Sequence, residues 1–425
     1  MPEMLTETVF TWGAPPVKFG PGAVDELAFD CEQLGLERVL VVTDPRIAEA
    51  GIAQRVADGL EAGSVKATVF DRARVEPTDR SFAEAVDFAK GSDWDGFIAV
   101  GGGSSIDTAK AINLMTTYPG EVMDYVNKPV GAGKGPPGPL KPLIAVPTTA
   151  GTGAESTPVC VLDILDLKVK TGISHPRLRP SMAVVDPLVT LTLPPGVTAS
   201  AGMDVLCHAL ESYTARPYRA YPRKRPEQRV AYCGSNPISD AFTEKALGLL
   251  ARSFRKAVMS GHDLQARSDM LLAASFAGMG FGNAGCHIPH ACAYPIAGRV
   301  RDYRPADYPQ DEPMVPHGQS VAVTAPAAFR FTYSTDADRH RHVAKLLDPG
   351  VAATARPAEQ LPTAITALMR DIGIPNGIGA LGFGEADIPD LVDGTLKQQR
   401  LLSIAPRDVH PEDLEVIFRE SVSNW

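Results

Sequence analysis

The sequence is short of aromatic residues, at 7%, and its six cysteines, Cys31, Cys160, Cys207, Cys233, Cys286 and Cys292, include no Cys-x-x-Cys pair. No disulfide framework or redox dithiol is expected from such spacing. No signal-type apolar run precedes the first strand pattern, and the opening MPEMLTETVF is acidic where a transit peptide is rich in arginine. The expectation is reduced thiols in a cytoplasmic chain. Positive charge is in deficit as well, with a net charge of −9. Binding to nucleic acid or to an anionic membrane needs a basic face, so neither is expected. A local basic pocket for a small anionic substrate remains compatible with this balance.

Charge is missing altogether from Met270 to Gly298, where there is no Asp, Glu, Lys or Arg. A membrane span needs about 20 predominantly apolar residues. This stretch is instead interrupted by Asn283, His287, Pro289, His290, Pro295 and several glycines. A buried helix pair around a polar site is predicted.

What is present is a chain of 425 residues, 44% hydrophobic and 21% charged, which suffices for two or three domains of ordinary size. In the first half, Arg38–Thr43, Ala67–Phe70, Gly96–Val100 and Leu143–Pro147 are β-branched-rich runs bounded by turn residues. Helical spacing lies between them at Ile52–Ala62 and Phe82–Lys90. Alternating units of this kind predict a mainly parallel sheet covered by helices. Val159–Ser174 is predicted to be a hairpin. After Leu193-Pro194-Pro195-Gly196 the pattern turns helical, as at Ala241–Ala257, Ala358–Asp371 and Glu412–Val422. The fold class is thus an α/β domain over residues 1–194 followed by an all-helical domain over 195–425. Two loops rich in basic residues and proline, Lys128–Pro142 and Arg216–Arg229, interrupt the pattern.

Two loops in the α/β half suit a dinucleotide. In FIAVGGGSSIDTAK a strand runs through Gly101, Gly102, Gly103 and Ser104 into a helix that also carries Asp107. Glycines admit a pyrophosphate to backbone N–H groups, and the helix N-terminus adds favourable partial charge. A tight βα turn alone has the same look. A second loop after another buried strand, with Thr148, Thr149 and Thr152, would meet the first at the carboxyl edge of the sheet, where nucleotides bind. Asp44, ending the strand VLVVTD, is placed to accept hydrogen bonds from an adenosine ribose, and its charge favours NAD over NADP. It is equally placed to cap a helix starting at Pro45.

The helical half carries a metal pattern. Asp204 and His208 are four residues apart on one predicted helix face. His287 and His290 follow in GCHIPH, and His317 in VPHGQ. One carboxylate and three imidazoles from Asp204, His208, His290 and His317 could hold Fe²⁺ or Zn²⁺ and leave room for a substrate oxygen. His175, His262, His340, His342 and His410 stand in charged or turn surroundings and are predicted to be surface groups.

With GGGSSIDTAK, PTTAGTGAE, the Asp204-x-x-x-His208 helix and the His290 and His317 segments in this order, the chain resembles the iron-containing alcohol dehydrogenase family along essentially its whole length. The resemblance implies that Gly101 to Ser104, Thr148, Thr149 and Thr152 hold NAD, with Asp44 on the adenosine ribose. Lys170 falls on a cofactor-contacting lysine, and Asp204, His208, His290 and His317 fall on the metal ligands. Arg74–Asp79, Cys207–Tyr213, Gly234–Asp240 and Phe281–Gly285 are most similar to the hydroxyacid–oxoacid transhydrogenase branch. Those enzymes oxidise 4-hydroxybutyrate to succinate semialdehyde and reduce 2-oxoglutarate to 2-hydroxyglutarate. Simple alcohol dehydrogenases of the family have His-x-x-x-His where this chain has His290 and Tyr294. Tyr294 or the additional His287 is therefore a candidate proton relay, although His287 could equally be a structural hydrogen-bonder. Acid substrates call for a cation, with Arg229 the first candidate and Arg299 its rival. A homo-oligomer, namely a dimer, is expected. The competing readings are an ordinary NAD-dependent primary-alcohol or diol dehydrogenase, a dehydroquinate-synthase-like lyase, and a non-catalytic metal-binding module.

Overall fold

The computed structural model describes residues 6–167 and 169–425. The chain folds into two compact units, Ala14–Leu191 and Thr192–Trp425, the second of which also takes in residues 6–13. The sequence places the boundary after residue 194 and assigns the N-terminal residues to the α/β half. The structure moves both. The amide of Glu7 donates to the Tyr221 carbonyl at 2.8 Å. Gly13 exchanges two hydrogen bonds with the Asn283 side chain, at 3.0 and 2.9 Å. These extended residues satisfy their backbone groups on the helical unit, and composition carries no sign of that.

In the α/β unit, six parallel strands form one sheet: β1 (Val17–Phe19), β2 (Arg38–Val42), β3 (Lys66–Phe70), β4 (Gly96–Gly101), β5 (Leu143–Pro147) and β8 (Met182–Val185). Their order is β1-β8-β5-β4-β2-β3. The antiparallel hairpin of β6 (Val159–Ile164) and β7 (Val169–Ser174) stands apart from this sheet. Side chains alternate between two cores. Leu40, Val42, Phe97, Ala99, Leu143 and Ala145 belong to one, and Val39, Val41, Ile98, Val100, Ile144 and Val146 to the other. A sheet buried on both faces explains why these strands are continuous apolar runs in the sequence. From β2 the chain moves to β3 on one side, then returns to β4 on the other, so a topological switch point lies between β2 and β4. Register puts Val42 beside Ala99 and Gly101 beside Pro147, which aligns the carboxyl ends of β2, β4 and β5.

The helical unit is built around three long, mutually packed helices, Pro195–Thr214, Pro237–Met259 and Leu264–Ala284. The uncharged stretch becomes the end of the third of these and the helix Ile288–Gly298, and most of its side chains are buried. Among the described residues, no helix is long and apolar enough to cross a membrane.

Candidate metal and dinucleotide sites

The helix Pro195–Thr214 begins with a proline at its first position, where a missing N–H costs nothing. It carries Asp204, His208 and Glu211 at spacings of four and three residues, hence on one face. All three are at most 4% exposed. His317 opens the short helix His317–Ala322, and the residue after it must be glycine. A Cβ on Gly318 would stand 1.8 Å from the Ser200 carbonyl oxygen. Only bare backbone lets this segment abut the long helix so closely, and the approach brings His317 to Asp204.

Asp204 Oδ1 lies 3.7 Å from His208 Nε2, 3.3 Å from His290 Nε2 and 3.7 Å from His317 Nε2. Ligands arranged tetrahedrally about 2.1 Å from one ion stand about 3.4 Å from one another. Oδ1 of Asp204 and Nε2 of His290 are buried and make no well-aligned hydrogen bond. Buried polar atoms without partners call for an explanation, and a shared cation supplies one. The donor set fits a divalent transition metal. Burial would raise the Asp204 carboxyl, but the His208 and His317 rings hold it well below the usual range. Burial pushes His208 down to about 3, so its ring is neutral and able to ligate.

Glu211 has a part here that the sequence alone did not assign. Its Oε1 is 2.6 Å from His290 Nδ1, while Oε2 accepts the His287 and His290 amides at 2.6 and 3.4 Å. The carboxylate caps the first turn of the helix Ile288–Gly298 and fixes the tautomer of His290 with Nδ1 protonated. The Nε2 lone pair is thereby turned toward Asp204. Its place seven residues after Asp204, on the ligand face, was the available signal.

His287 is held at both ring nitrogens. Its Nδ1 accepts the Ile288 amide at 2.8 Å. Thr214 gives its hydroxyl proton to the Leu210 carbonyl and so accepts from His287 Nε2 at 3.1 Å. Both ring nitrogens are engaged, and burial holds the ring down to about 4. Tyr294 is half-buried with its ring 6.4 Å from that of His317. His340, predicted to be a surface group, is 1% exposed and held by Thr332 and the Asp336 carbonyl at 2.9 and 2.8 Å. The charged segment ADRHRH conceals that one helix face turns inward. The two proposed carboxylate clamps are engaged elsewhere. Arg229 contacts Glu7 at 3.4 Å and the Lys224 carbonyl at 3.1 Å, and Arg299 faces Asp390 at 3.7 Å on an exposed edge.

In the α/β unit, the helix Gly103–Thr117 starts without a side-chain cap, which leaves its first N–H groups available to an anion. A Cβ on Gly103 would come within 2.7 Å of the Thr152 side chain, so the two loops meet at backbone distance. Gly102 and Thr149 approach almost as closely, and Thr148 Oγ1 is buried without a partner. A cradle of uncapped amides and hydroxyls fits a pyrophosphate. Lys110, fully buried, ties the second loop to this helix through the Ala154 and Val159 carbonyls at 2.8 and 2.7 Å. Asp107, grouped with the cofactor residues, holds the Val161 amide at 2.9 Å. Asp44 caps the helix Pro45–Glu49 with Oδ1 and accepts the Ser105 hydroxyl at 3.1 Å with Oδ2. The Ser104 hydroxyl accepts the Glu76 amide at 3.2 Å. Lys170 forms an ion pair with Glu76, and burial pulls its amine down to about 8.

Residues 14–187 match the family described as iron-containing alcohol dehydrogenase, and residues 227–422 its C-terminal domain. The chain is 45% identical to the hydroxyacid-oxoacid transhydrogenase, mitochondrial, of Bos taurus over 98% of its own length and 91% of that relative. The chain belongs to the iron-containing alcohol dehydrogenase family. It is an oxidoreductase, and the lyase and non-catalytic readings give way. A solved 1,3-propanediol oxidoreductase superposes with a TM-score of 0.84 at 31% identity, covering 97% of this chain and 100% of that one. Sulfoacetaldehyde reductase from Bifidobacterium kashiwanohense, solved in complex with NAD+, gives 0.80 at 27% identity, with 98% and 99% covered. One expectation is overturned. The relative from Bos taurus carries a mitochondrial name, against the cytoplasmic placement. That placement rested on reduced thiols and an acidic opening segment, and reduced thiols mark a redox state that more than one compartment provides.

Proposed function

We propose that this enzyme is a hydroxyacid–oxoacid transhydrogenase that oxidises 4-hydroxybutyrate to succinate semialdehyde and reduces 2-oxoglutarate to 2-hydroxyglutarate, with NAD as the hydride carrier. The observation that supports it most is the 45% identity to a transhydrogenase over 98% of the chain, joined to three imidazole nitrogens within 3.7 Å of one Asp204 oxygen.

Asp204, His208, His290 and His317 would hold the metal, with Fe²⁺ proposed and Zn²⁺ the alternative that availability can impose. When bound, the metal supplies Lewis acidity to a substrate oxygen and NAD supplies the hydride acceptor. The chain's own contribution is placement and exclusion of water. Glu211 holds the His290 ring in one tautomer, and Phe281 stacks on His208 at 3.8 Å between ring centroids, walling that side from solvent. Tyr294 is the relay candidate, since both nitrogens of His287 are occupied. Burial raises the Tyr294 phenol, so it would work as a neutral hydrogen-bonding group that passes a proton on rather than as a phenolate base. In the α/β unit, Gly101–Ser104, Thr148, Thr149 and Thr152 would cradle the pyrophosphate, with Asp44 on the ribose and Lys170 on the cofactor. We also propose a dimer, which sedimentation velocity tests.

The alternative is an NAD-dependent alcohol or diol dehydrogenase, favoured by the likeness to 1,3-propanediol oxidoreductase. Purified protein mixed with 4-hydroxybutyrate and 2-oxoglutarate, without added NAD, is expected to form 2-hydroxyglutarate over many turnovers. A reaction that stops unless free NAD is replenished would favour the dehydrogenase.

A further inference from the structure

A hydroxyacid enzyme needs a cation for the carboxylate, and the helical unit places one beside the segment that carries His290. Arg400 lies on the short helix Gln399–Leu402, whose Leu401 and Leu402 share a core with Cys286, Ile288, Cys292 and Ile296 around the His290 helix. The Arg400 guanidinium carbon is 4.8 Å from the centroid of the Tyr232 ring. That ring packs on the turn leading to His290, its Cδ2 lying 3.2 Å from where a Cβ of Gly285 would stand. Tyr294, one turn beyond His290, forms a second aromatic surface. The Tyr294 ring lies 6.4 Å from that of His317. The cation and the turn leading to His290 therefore meet at the Tyr232 ring, and Tyr294 stands beside the candidate ligands.

We propose that Arg400 binds the carboxylate of the substrate while the Asp204–His290 edge faces its hydroxyl or oxo oxygen, with Tyr232 and Tyr294 lining the methylene chain. The substrate class is a short hydroxycarboxylate or oxocarboxylate. An Arg fork suits a planar carboxylate better than a lysine does, because two parallel N–H groups match its two oxygens. The assignment rests on the proposed function, which it makes specific.

The test uses full-length, metal-loaded Arg400→Met and Arg400→Lys. KM and kcat are measured for 4-hydroxybutyrate and for uncharged 1,4-butanediol, and the Kd of unreactive butyrate is measured by calorimetry. For Arg400→Met the acid KM and the butyrate Kd are expected to rise about 10- to 100-fold, the size of one charged hydrogen-bonding contact. The acid kcat and both diol constants should shift far less, and Arg400→Lys should recover part of the loss. Should Arg400→Met fail to fold, Arg400→Lys is expected to raise the acid KM and the butyrate Kd alone. Equal losses for acid and diol, or an unchanged butyrate Kd, would overturn the assignment. Butyrate binding that needs Arg400 in a protein unable to turn over 4-hydroxybutyrate would keep the clamp and reject the transhydrogenase reading.

Discussion

The two candidate sites are made of different material. The metal cluster is four side chains from three separate helices, converging on one carboxylate oxygen. The dinucleotide cradle is mostly backbone, held at the ends of parallel strands by glycines and by Lys110 beneath them. A site of converging side chains concentrates its function in single residues, whereas a backbone site spreads it over a loop. Substitutions should therefore be abrupt in the first and graded in the second.

The sharpest break is expected at Asp204. Asp204→Ala removes the oxygen common to all three imidazoles. It should abolish metal binding and lower kcat by about a thousandfold or more, the scale of several kcal/mol of Lewis-acid assistance. Metal analysis with steady-state kinetics checks this while NADH binding is followed by fluorescence and should persist. Glu211→Gln comes next. It touches no ion, yet metal affinity, measured against a chelator, should fall by about 10- to 100-fold as the His290 tautomer is released.

How much of this was legible follows the same division. The candidate metal ligands could be singled out because Asp204 and His208 share a helical spacing and His290 and His317 lie in sparsely charged, glycine-flanked segments. Glu211 was on the same face, but its role appears only when the turn at His287 folds beneath it. The sheet could be read from its apolar runs, except for β1 and β8. These have three and four residues, too few for a pattern to stand out, and they pair only with each other and with β5. Arg229 illustrates the limit. Its partner Glu7 is 222 residues away in sequence, so an arginine that looked available for a substrate pairs with an N-terminal segment.

Smaller effects should mark the backbone site. Gly103→Val places side-chain atoms against Thr152, where even a Cβ stands at 2.7 Å. The Kd of NADH should rise about tenfold, in line with the usual cost of overpacking, with metal content unchanged. The mildest test is pH. Lys170 carries its charge below about 8 and loses it above. If it contacts the anionic cofactor, NADH affinity is fully present at pH 7 and declines severalfold toward pH 9 and beyond. Binding itself favours the charged amine, so the midpoint should lie at or above 8. Fluorescence titration across that range should show the decline in the native protein and a flat profile in Lys170→Met.

The most direct test of the central claim is anomalous diffraction from crystals of the iron-loaded protein, recorded on both sides of the iron absorption edge. One peak within bonding distance of Asp204, His208, His290 and His317 is predicted. No peak there, or a peak at other residues, would contradict the account.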